Sequence, residues 1–416
     1  MDYSNFKIDM PNDVDFIINT IKSHGHQAYA VGGCVRDSIM GLTPNDWDIT
    51  TSALPSDIKE YFNKTIDTGI EHGTVMLHNV GYEVTTYRID GEYKDGRHPS
   101  SVEFSDRLTD DLCRRDFTIN AMAYNNVTGL VDEYGGIDDI NNRIIKCVGN
   151  PIERFTEDAL RMMRAIRFSA QLGFTIEPDT FKAIEKLNRN IDKVSMERVC
   201  VELKKTLLSD NPDYCSLYAT TGLFNNILPV IADNLTGRYA KKLLLTCKYT
   251  DNELPLRLAA ILFVCSPDEA RTALRNLRMD NKTIDTVVKI LTYTPLHIDE
   301  TEPAVREALH QCGRDIFMLV IRLQRASIKA SEEITFISNP AKYNHLNKLQ
   351  RMADDILERG DCFTIKGLDI TGVDLIEYGL KGAEIGNTLN TLLDIVIENP
   401  KLNDKATLIA LLDNLK

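Results

Sequence analysis

Residues 29–51 constrain the fold more than any other stretch of this chain. They combine an apolar run, a Gly-Gly pair, a short helical pattern and an acidic pair within a short span. Residues 29–31 predict the end of a buried strand, and Gly32 with Gly33 predicts a turn with exposed backbone amides. Residues 34–40 then predict a helix, which ends at Gly41.

The acidic pair follows directly, because Asp46-Trp47-Asp48-Ile49 alternates polar and apolar residues. As a strand, this segment would place both carboxylates on one face, opposite the two apolar side chains and near the Gly-Gly turn. Two aligned carboxylates suit a pair of Mg²⁺ ions about 4 Å apart, and the amides of the turn suit a triphosphate. The segment therefore predicts nucleotidyl transfer, although a D-x-D pair alone is more often solvated surface charge than a metal site.

Length and composition exclude several other classes of protein. A chain of 416 residues is long enough for about three domains with a sizeable core. Its nine cysteines are scattered and form no C-x-x-C pair, which indicates reduced structural thiols and a cytoplasmic location. The N-terminus is acidic, and no stretch approaches the roughly 18 apolar residues of a membrane span, so we expect no membrane association.

The net charge of −13 argues against a protein that coats nucleic acid without specificity. Residues 143–205 nevertheless carry more Lys and Arg than Asp and Glu. An RNA-facing surface is therefore expected there first, with an ordinary ion-paired helical surface as the alternative.

The first 105 residues alternate helical and strand patterns. Residues 11–24 predict a helix with Asp13 as N-cap, and residues 74–78 and 82–88 predict a hairpin. Glu83, near the start of the second hairpin strand, is a candidate third carboxylate beside the acidic pair. Residues 89–105 are rich in Gly, Pro and charge and predict a mobile loop.

Two later segments concentrate arginines and acids. In residues 110–124, Asp110 predicts the cap of a helix that holds the arginine pair and Asp116, while Phe117, Ile119 and Met122 pack inward. Arginines bind phosphate with forked donors, and an adjacent Asp can accept from a ribose hydroxyl.

In residues 151–174, Thr156 predicts the cap of a helix whose first turn holds Glu157 and Asp158. Arg161 then follows at i,i+4 and i,i+3, which places the three side chains on one surface. A routine helical ion pair is the alternative interpretation of this spacing.

These strings resemble motifs of the class II tRNA nucleotidyltransferase and bacterial poly(A) polymerase family. GGCVRDSIMGLTPNDWDITT resembles motif A, DDLCRRDFTINAMAY motif B, and PIERFTEDALRMMRAIRFSAQLGF motif D. VDEYGGIDDINNRIIKC and SMERVCVELKKTLLS resemble motifs C and E, to which we assign packing. The resemblance implies an α+β fold: an N-terminal polymerase-β-like head with a small mixed sheet, then an all-α neck, body and tail.

The resemblance also implies residue roles. Asp46 and Asp48 would be catalytic and bind Mg²⁺. Glu83, from its place in the hairpin and not from the resemblance, is the candidate for a further metal ligand. Asp158 and Arg161 would bind the base edge, because a carboxylate accepts from the amino group that cytosine and adenine share, whereas guanine and uracil present a carbonyl there. The expected nucleotide-binding residues are Gly32, Gly33, Arg36, Arg114, Asp116, Asn120, Glu157, Asp158, Arg161, Arg164 and Arg167.

The implied function is addition of CCA to the 3′ end of tRNA from CTP and ATP. The expected domains are the head at 1–150, the neck at 151–210, the body at 211–330, and a tRNA-binding tail at 331–416 in which Lys381 contacts phosphate. Three alternatives stay open: an A-adding enzyme working with a CC-adding partner, a poly(A) polymerase, and a non-catalytic RNA-binding protein on the same scaffold. The oligomeric state is left open.

Overall fold

The computed structural model describes residues 7–70, 73–78, 81–91, 101–237 and 239–414. The chain divides into two compact units, Met1–Thr236 and Gly237–Lys416. The finer domain boundaries expected from the sequence, at 150, 210 and 330, stay predictions.

The first unit is built around a mixed sheet, which has seven strands within the described residues, in the order β3-β4-β5-β2-β1-β8-β9. Two small pairs, β6 with β7 and β10 with β11, lie outside it. The strands are β1 (Ala28–Val31), β2 (Asp48–Thr51), β3 (Thr65–Gly69), β4 (Thr74–Leu77), β5 (Tyr82–Thr86), β6 (Arg88–Asp90), β7 (Val102–Phe104), β8 (Met122–Asn125), β9 (Gly129–Asp132), β10 (Ile144–Ile145) and β11 (Thr175–Ile176).

The helices of the first unit cover this sheet and continue beyond it. They are α1 (Asn12–Ser23), α2 (Gly33–Ile39), α3 (Pro55–Tyr61), α4 (Leu108–Cys113), α5 (Gly136–Asn141), α6 (Pro151–Glu157), α7 (Leu160–Leu172), α8 (Pro178–Leu187), α9 (Met196–Leu207), α10 (Ser216–Thr220), α11 (Phe224–Ile227) and α12 (Pro229–Ala232). Short 3₁₀ turns lie at Thr118–Asn120, Asn188–Lys193 and Pro212–Cys215.

Several local predictions for this unit are confirmed. The apolar side of α1 is buried, and β4 and β5 form the expected antiparallel hairpin, with turn residues 79 and 80 outside the described residues. The cap at Asp13 is wrong, because α1 begins at Asn12 after Pro11. The predicted loop at 89–105 is also shorter than expected, since its ends pair as β6 and β7, while residues 92–100 lie outside the described residues.

The second unit contains helices and no strand among its described residues, as the family resemblance implied. Its helices are α13 (Ala240–Tyr249), α14 (Leu254–Ile261), α15 (Pro267–Asn276), α16 (Asn281–Tyr293), α17 (Glu302–Cys312), α18 (Arg314–Thr335), α19 (Pro340–Arg359), α20 (Gly372–Glu377), α21 (Ala383–Glu398) and α22 (Lys405–Asn414). Lys381 lies just before α21, which starts after Gly382.

The predicted fold class is confirmed, with the two-residue strand β11 as an exception to an all-helical neck. None of the helices in the described ranges has the length and apolar character that crossing a bilayer requires.

Candidate active site

Asp48 opens β2 directly opposite Val31, the last residue of β1. Asp46 and Asp48 are exposed and Trp47 and Ile49 are buried, so the predicted alternation is confirmed. The strand itself begins only at Asp48, because β1 ends at Val31 and offers no further partner. Asp46 instead accepts a hydrogen bond from the Trp47 amide over 2.9 Å. Both carboxylates therefore lie at the end of β2, but only Asp48 belongs to the sheet.

A third carboxylate lies on the neighbouring strand. Because β2 and β5 are parallel and Ile49 pairs with Val84, Glu83 is level with Asp48. Burial, then the charges of Asp48 and Asp46, raise the pKa of Glu83. Across the described part of the chain, no three His, Cys, Asp or Glu side chains are already grouped as a metal site. Glu83 as a metal ligand therefore stays a prediction.

The pKa of Asp48 is raised in the same way. Loss of water around its carboxylate is the largest cause, Arg115 opposes it, and the charge of Asp46 adds to it. A divalent cation would stabilise the ionised form of Asp48, which the loss of water and the negative charge of Asp46 disfavour.

The glycine turn begins directly after Val31, the β1 residue that pairs with Asp48. Gly32 has a φ of 84°, and a Cβ there would lie 3.0 Å from Nη1 of Arg115. The glycine thus permits the guanidinium to approach the backbone at the start of α2. Arg115 is the residue whose position the sequence did not predict: R-R-D showed two arginines but not which one faces the acids.

Asp111 holds both arginines of that pair from inside the protein. It is fully buried and accepts from Arg114 at 2.6 and 3.0 Å, from Arg115 at 3.1 Å and from Thr50 at 3.1 Å. Burial alone would raise the pKa of Asp111, but the charges and hydrogen bonds of the two arginines lower it. Asp111 therefore stays charged and fixes where the guanidiniums point.

The helix predicted for this segment is shorter than expected. α4 ends at Cys113, so Arg114, Arg115 and Asp116 follow it, and Asp110 lies inside its first turn instead of capping it. The side chain of Asp110 accepts from the Ser105 hydroxyl over 2.6 Å, which uses the acceptor that a cap would need. Burial of the apolar members, Phe117, Ile119 and Met122, is confirmed.

Asp116 lies in a second buried group of charges. It accepts from Arg164 at 2.8 Å and from Asn120 at 3.2 Å, and Asn120 in turn accepts from Arg36 at 2.7 Å. Burial alone would raise the pKa of Asp116, but the charge and hydrogen bond of Arg164, with help from Arg161 and Asn120, lower it to about 2. The structure thus brings four of the predicted nucleotide-binding residues into one hydrogen-bonded chain.

The acid and arginine cluster of the neck is formed by a helix break. α6 ends at Glu157, Asp158 is extended, and α7 starts at Leu160, so Thr156 is not a cap and donates to the Ile152 carbonyl instead. Asp158 precedes Ala159, the N-cap of α7, and its Oδ1 accepts from the amide of Leu160, the first residue of that helix, over 3.0 Å.

The pairing within this cluster also differs from a simple helical ion pair. Arg161 donates to Glu157 over 2.7 Å, as its i,i+4 spacing predicted. Asp158, however, pairs with Arg198 of α9 over 2.9 Å and not with the side chain of Arg161. Arg161 is held further by the Arg114 carbonyl over 2.9 Å.

The remaining two neck arginines are paired as well. Arg164 binds Asp116, and Arg167 donates to Glu202 of α9 over 2.6 Å. α9 therefore contributes Arg198 and Glu202 to the site in addition to the packing that the sequence predicted for it. Its partners lie about 35 to 40 residues away in the chain, a separation that local spacing rules do not cover.

Comparison with known proteins agrees with this arrangement. Residues 28–146 match a family model described as the poly A polymerase head domain, and residues 256–412 match tRNA nucleotidyltransferase domain 2. Residues 173–235 match a model described as "Probable RNA and SrmB- binding site of polymerase A".

Whole-length relatives share one name. The CCA-adding enzyme of Ligilactobacillus salivarius is 36% identical over 400 residues, 94% of each chain, and that of Latilactobacillus sakei is 39% identical over 385 residues, 91% of this chain and 95% of the relative. The crystal structure of the Bacillus stearothermophilus CCA-adding enzyme in complex with CTP has a TM-score of 0.75 at 33% identity, covering 96% of this chain and 95% of that one. This chain therefore belongs to the CCA-adding enzyme family and is a tRNA nucleotidyltransferase.

Proposed function

We propose that this chain adds CCA to the 3′ end of tRNA from CTP and ATP, with Asp46 and Asp48 as the ligands of two Mg²⁺ ions. The observation that carries the metal assignment is the pair of exposed carboxylates at the end of β2, opposite the Gly32 turn. The relatives that match nearly the whole chain are named CCA-adding enzymes, and one was solved with CTP.

The nucleotidyltransferase family indicates use of a divalent metal, and the acidic pair fits one. Carboxylate oxygens are the ligands that Mg²⁺ prefers, and a cation would offset the loss of water and the charge of Asp46 that raise the pKa of Asp48. When bound, Mg²⁺ supplies activation of the RNA 3′-hydroxyl and charge neutralisation of the pyrophosphate. Asp46 and Asp48 hold the cations, and Glu83 is a further candidate ligand.

The arginines bind and orient the nucleotide. Arg115, held by Asp111 and adjacent to Gly32, directs donors to the side of the acidic pair where a triphosphate has to lie. Arg114 shares the same anchor, Asp111. Asp116, held by Arg164 and Asn120, supports the ribose side of the site.

Asp158 and Arg161 select the base. Asp158 accepts from the amino group of cytosine or adenine, and Arg161 donates to the ring nitrogen or carbonyl beside it. Each is fixed by a different partner, Arg198 for Asp158 and Glu157 for Arg161, so their edges are oriented before the nucleotide binds. The tRNA contacts proposed for the helical second unit include Lys381 before α21.

Incubation with tRNA lacking CCA, CA or A, and with each nucleotide in turn, tests the activity and separates full CCA addition from A-only addition. Asp46→Ala and Asp48→Ala should each abolish addition with the fold and tRNA binding retained, because loss of a metal ligand removes several kcal/mol of transition-state stabilisation, about 100-fold or more in rate. Asp13→Ala, an exposed acid on α1, is the matched control. Addition by either variant at more than about a tenth of the normal rate would contradict the metal assignment.

A further inference from the structure

Phe168 of α7 lies where three arginines of the site converge. The guanidinium carbons of Arg167, Arg36 and Arg164 lie 3.8, 5.1 and 5.4 Å from the centroid of its ring. Phe117 packs against the ring with its plane tilted by 80° and a centroid distance of 5.8 Å. The ring is 6% exposed, so these contacts form away from bulk water.

Each of the three arginines also forms an ion pair with a carboxylate. Arg36 pairs with Asp37, Arg164 with Asp116 and Arg167 with Glu202. The guanidiniums still crowd one another, since the charge of Arg164 adds to burial in lowering the pKa of Arg167. An aromatic face attracts cations, so the ring holds the three guanidiniums together in addition to their carboxylate partners.

The three arginines differ in what they can reach. The side chains of Arg36 and Arg167 are 10% and 8% exposed, and each also donates to a neighbouring amide oxygen, of Asn120 and Gln171. The Arg164 side chain is 33% exposed. Arg164 is therefore the member of the trio that can contact an anionic ligand, while the other two serve as its fixed surroundings.

We propose that Phe168 is a positioning residue of the transferase site, whose ring fixes Arg164 toward a phosphate group of the bound substrate. The inference rests on the proposed function and adds to it a residue that contributes neither charge nor hydrogen bond. The phosphate belongs either to the nucleotide or to the 3′ end of the RNA, and kinetics with each substrate varied in turn distinguishes the two sources.

The test compares Phe168→Leu, which removes the ring, with Phe168→Tyr, which keeps it. Phe168→Leu should raise KM for CTP or for tRNA by about 10-fold, the loss expected for desolvated cation–π contacts, and leave kcat at saturation within about 2-fold. Phe168→Tyr should keep KM within about 2-fold of wild type. A rise confined to CTP assigns the phosphate to the nucleotide, and a rise confined to tRNA assigns it to the RNA.

Phe174→Leu is the matched control. Phe174 is similarly buried in the same unit, and no cation contacts its ring within the residues described. Its replacement should lower Tm as Phe168→Leu does but leave both KM values unchanged. Equal KM values for the two Leu variants, or equal damage in Phe168→Tyr and Phe168→Leu, would overturn the inference.

Two further measurements keep the test decisive. If Phe168→Leu does not fold, Phe168→Met keeps the bulk without a ring, and the same outcomes apply. Arg164→Ala should reproduce the KM defect, and the double variant should add nothing to it. Loss of addition in Asp46→Ala together with normal KM values in Phe168→Leu would remove this inference alone, whereas retained addition in Asp46→Ala would remove the proposed metal site.

Discussion

Replacing Asp158 by Ala should weaken base selection more than it slows the chemistry. The substitution removes the acceptor for the amino group of cytosine and adenine. The Asp158 side chain is only 16% exposed, so water compensates incompletely when a carbonyl of uracil or guanine faces it. A mismatch of this kind costs roughly 1–3 kcal/mol. A mid-range value of about 2 kcal/mol corresponds to a preference of about 30-fold, which Asp158→Ala should abolish.

The assay is kcat/KM for all four nucleotides on tRNA lacking CCA. The preference for CTP over UTP should fall toward unity in Asp158→Ala, whereas Asp179→Ala, which removes a 74% exposed acid, should keep it. Arg198→Ala should cause part of the same loss, since it releases the carboxylate that it holds over 2.9 Å, and should add nothing in the Asp158→Ala background. An unchanged CTP to UTP ratio in Asp158→Ala would refute the base-template assignment and leave these residues as structural ion pairs.

Two further predictions concern the loop and the buried acid of the head. Shortening the segment from Gly91 to Pro99 should spare addition of the two C residues and impair addition of the final A, because a site that accepts two base sizes needs a segment that moves. Stepwise addition on tRNA lacking CCA measures this effect. Equal loss of C and A addition would contradict the prediction. The pKa of Asp116 is about 2 in the folded protein, against an ordinary value of 3.8. Ionisation of Asp116 therefore stabilises the fold by about 2 kcal/mol above about pH 4, and this stabilisation is lost as the pH falls toward 2. In urea unfolding, the stability difference between wild type and Asp116→Asn should therefore narrow by about half between about pH 7 and about pH 3, and a constant difference would show that the charge of Asp116 contributes nothing.

The sequence predicted what depends on neighbouring residues. Alternation around Trp47, the helical burial of α1 and the β4–β5 hairpin follow from short-range periodicity, which the chain satisfies without help from distant contacts. The i,i+4 pair of Glu157 and Arg161 belongs to the same class. These elements were predictable because the residues that determine each of them lie within one helix, one strand or one hairpin.

The helix-cap predictions that were wrong concern side chains that could form either of two local hydrogen bonds. Thr156 and Asp158 are both residue types that favour helix N-termini, and the sequence does not show that a helix ends between them, at Glu157. The carboxylate of Asp158 accepts from the Leu160 amide at the start of α7 and from Arg198, a partner 40 residues later in the chain. Asp110 is not the predicted cap, because it lies inside the first turn of α4, and its carboxylate accepts a hydrogen bond from the Ser105 hydroxyl. The pairing of Asp158 with Arg198 is a tertiary contact that no local spacing predicts, whereas Ser105 and Asp110 are only five residues apart.

In the base template that we propose, Asp158 and Arg161 pair with different residues. Had these two side chains paired with each other at i,i+3, each would have consumed the hydrogen-bonding edge that the base requires. Glu157 holds Arg161 and Arg198 holds Asp158, so acceptor and donor stay apart and each retains capacity for the ligand. Their orientation is settled during folding, so less conformational freedom remains to be lost when a nucleotide binds. We therefore propose that the selectivity of the site depends on Arg198 of α9, which need never touch the base.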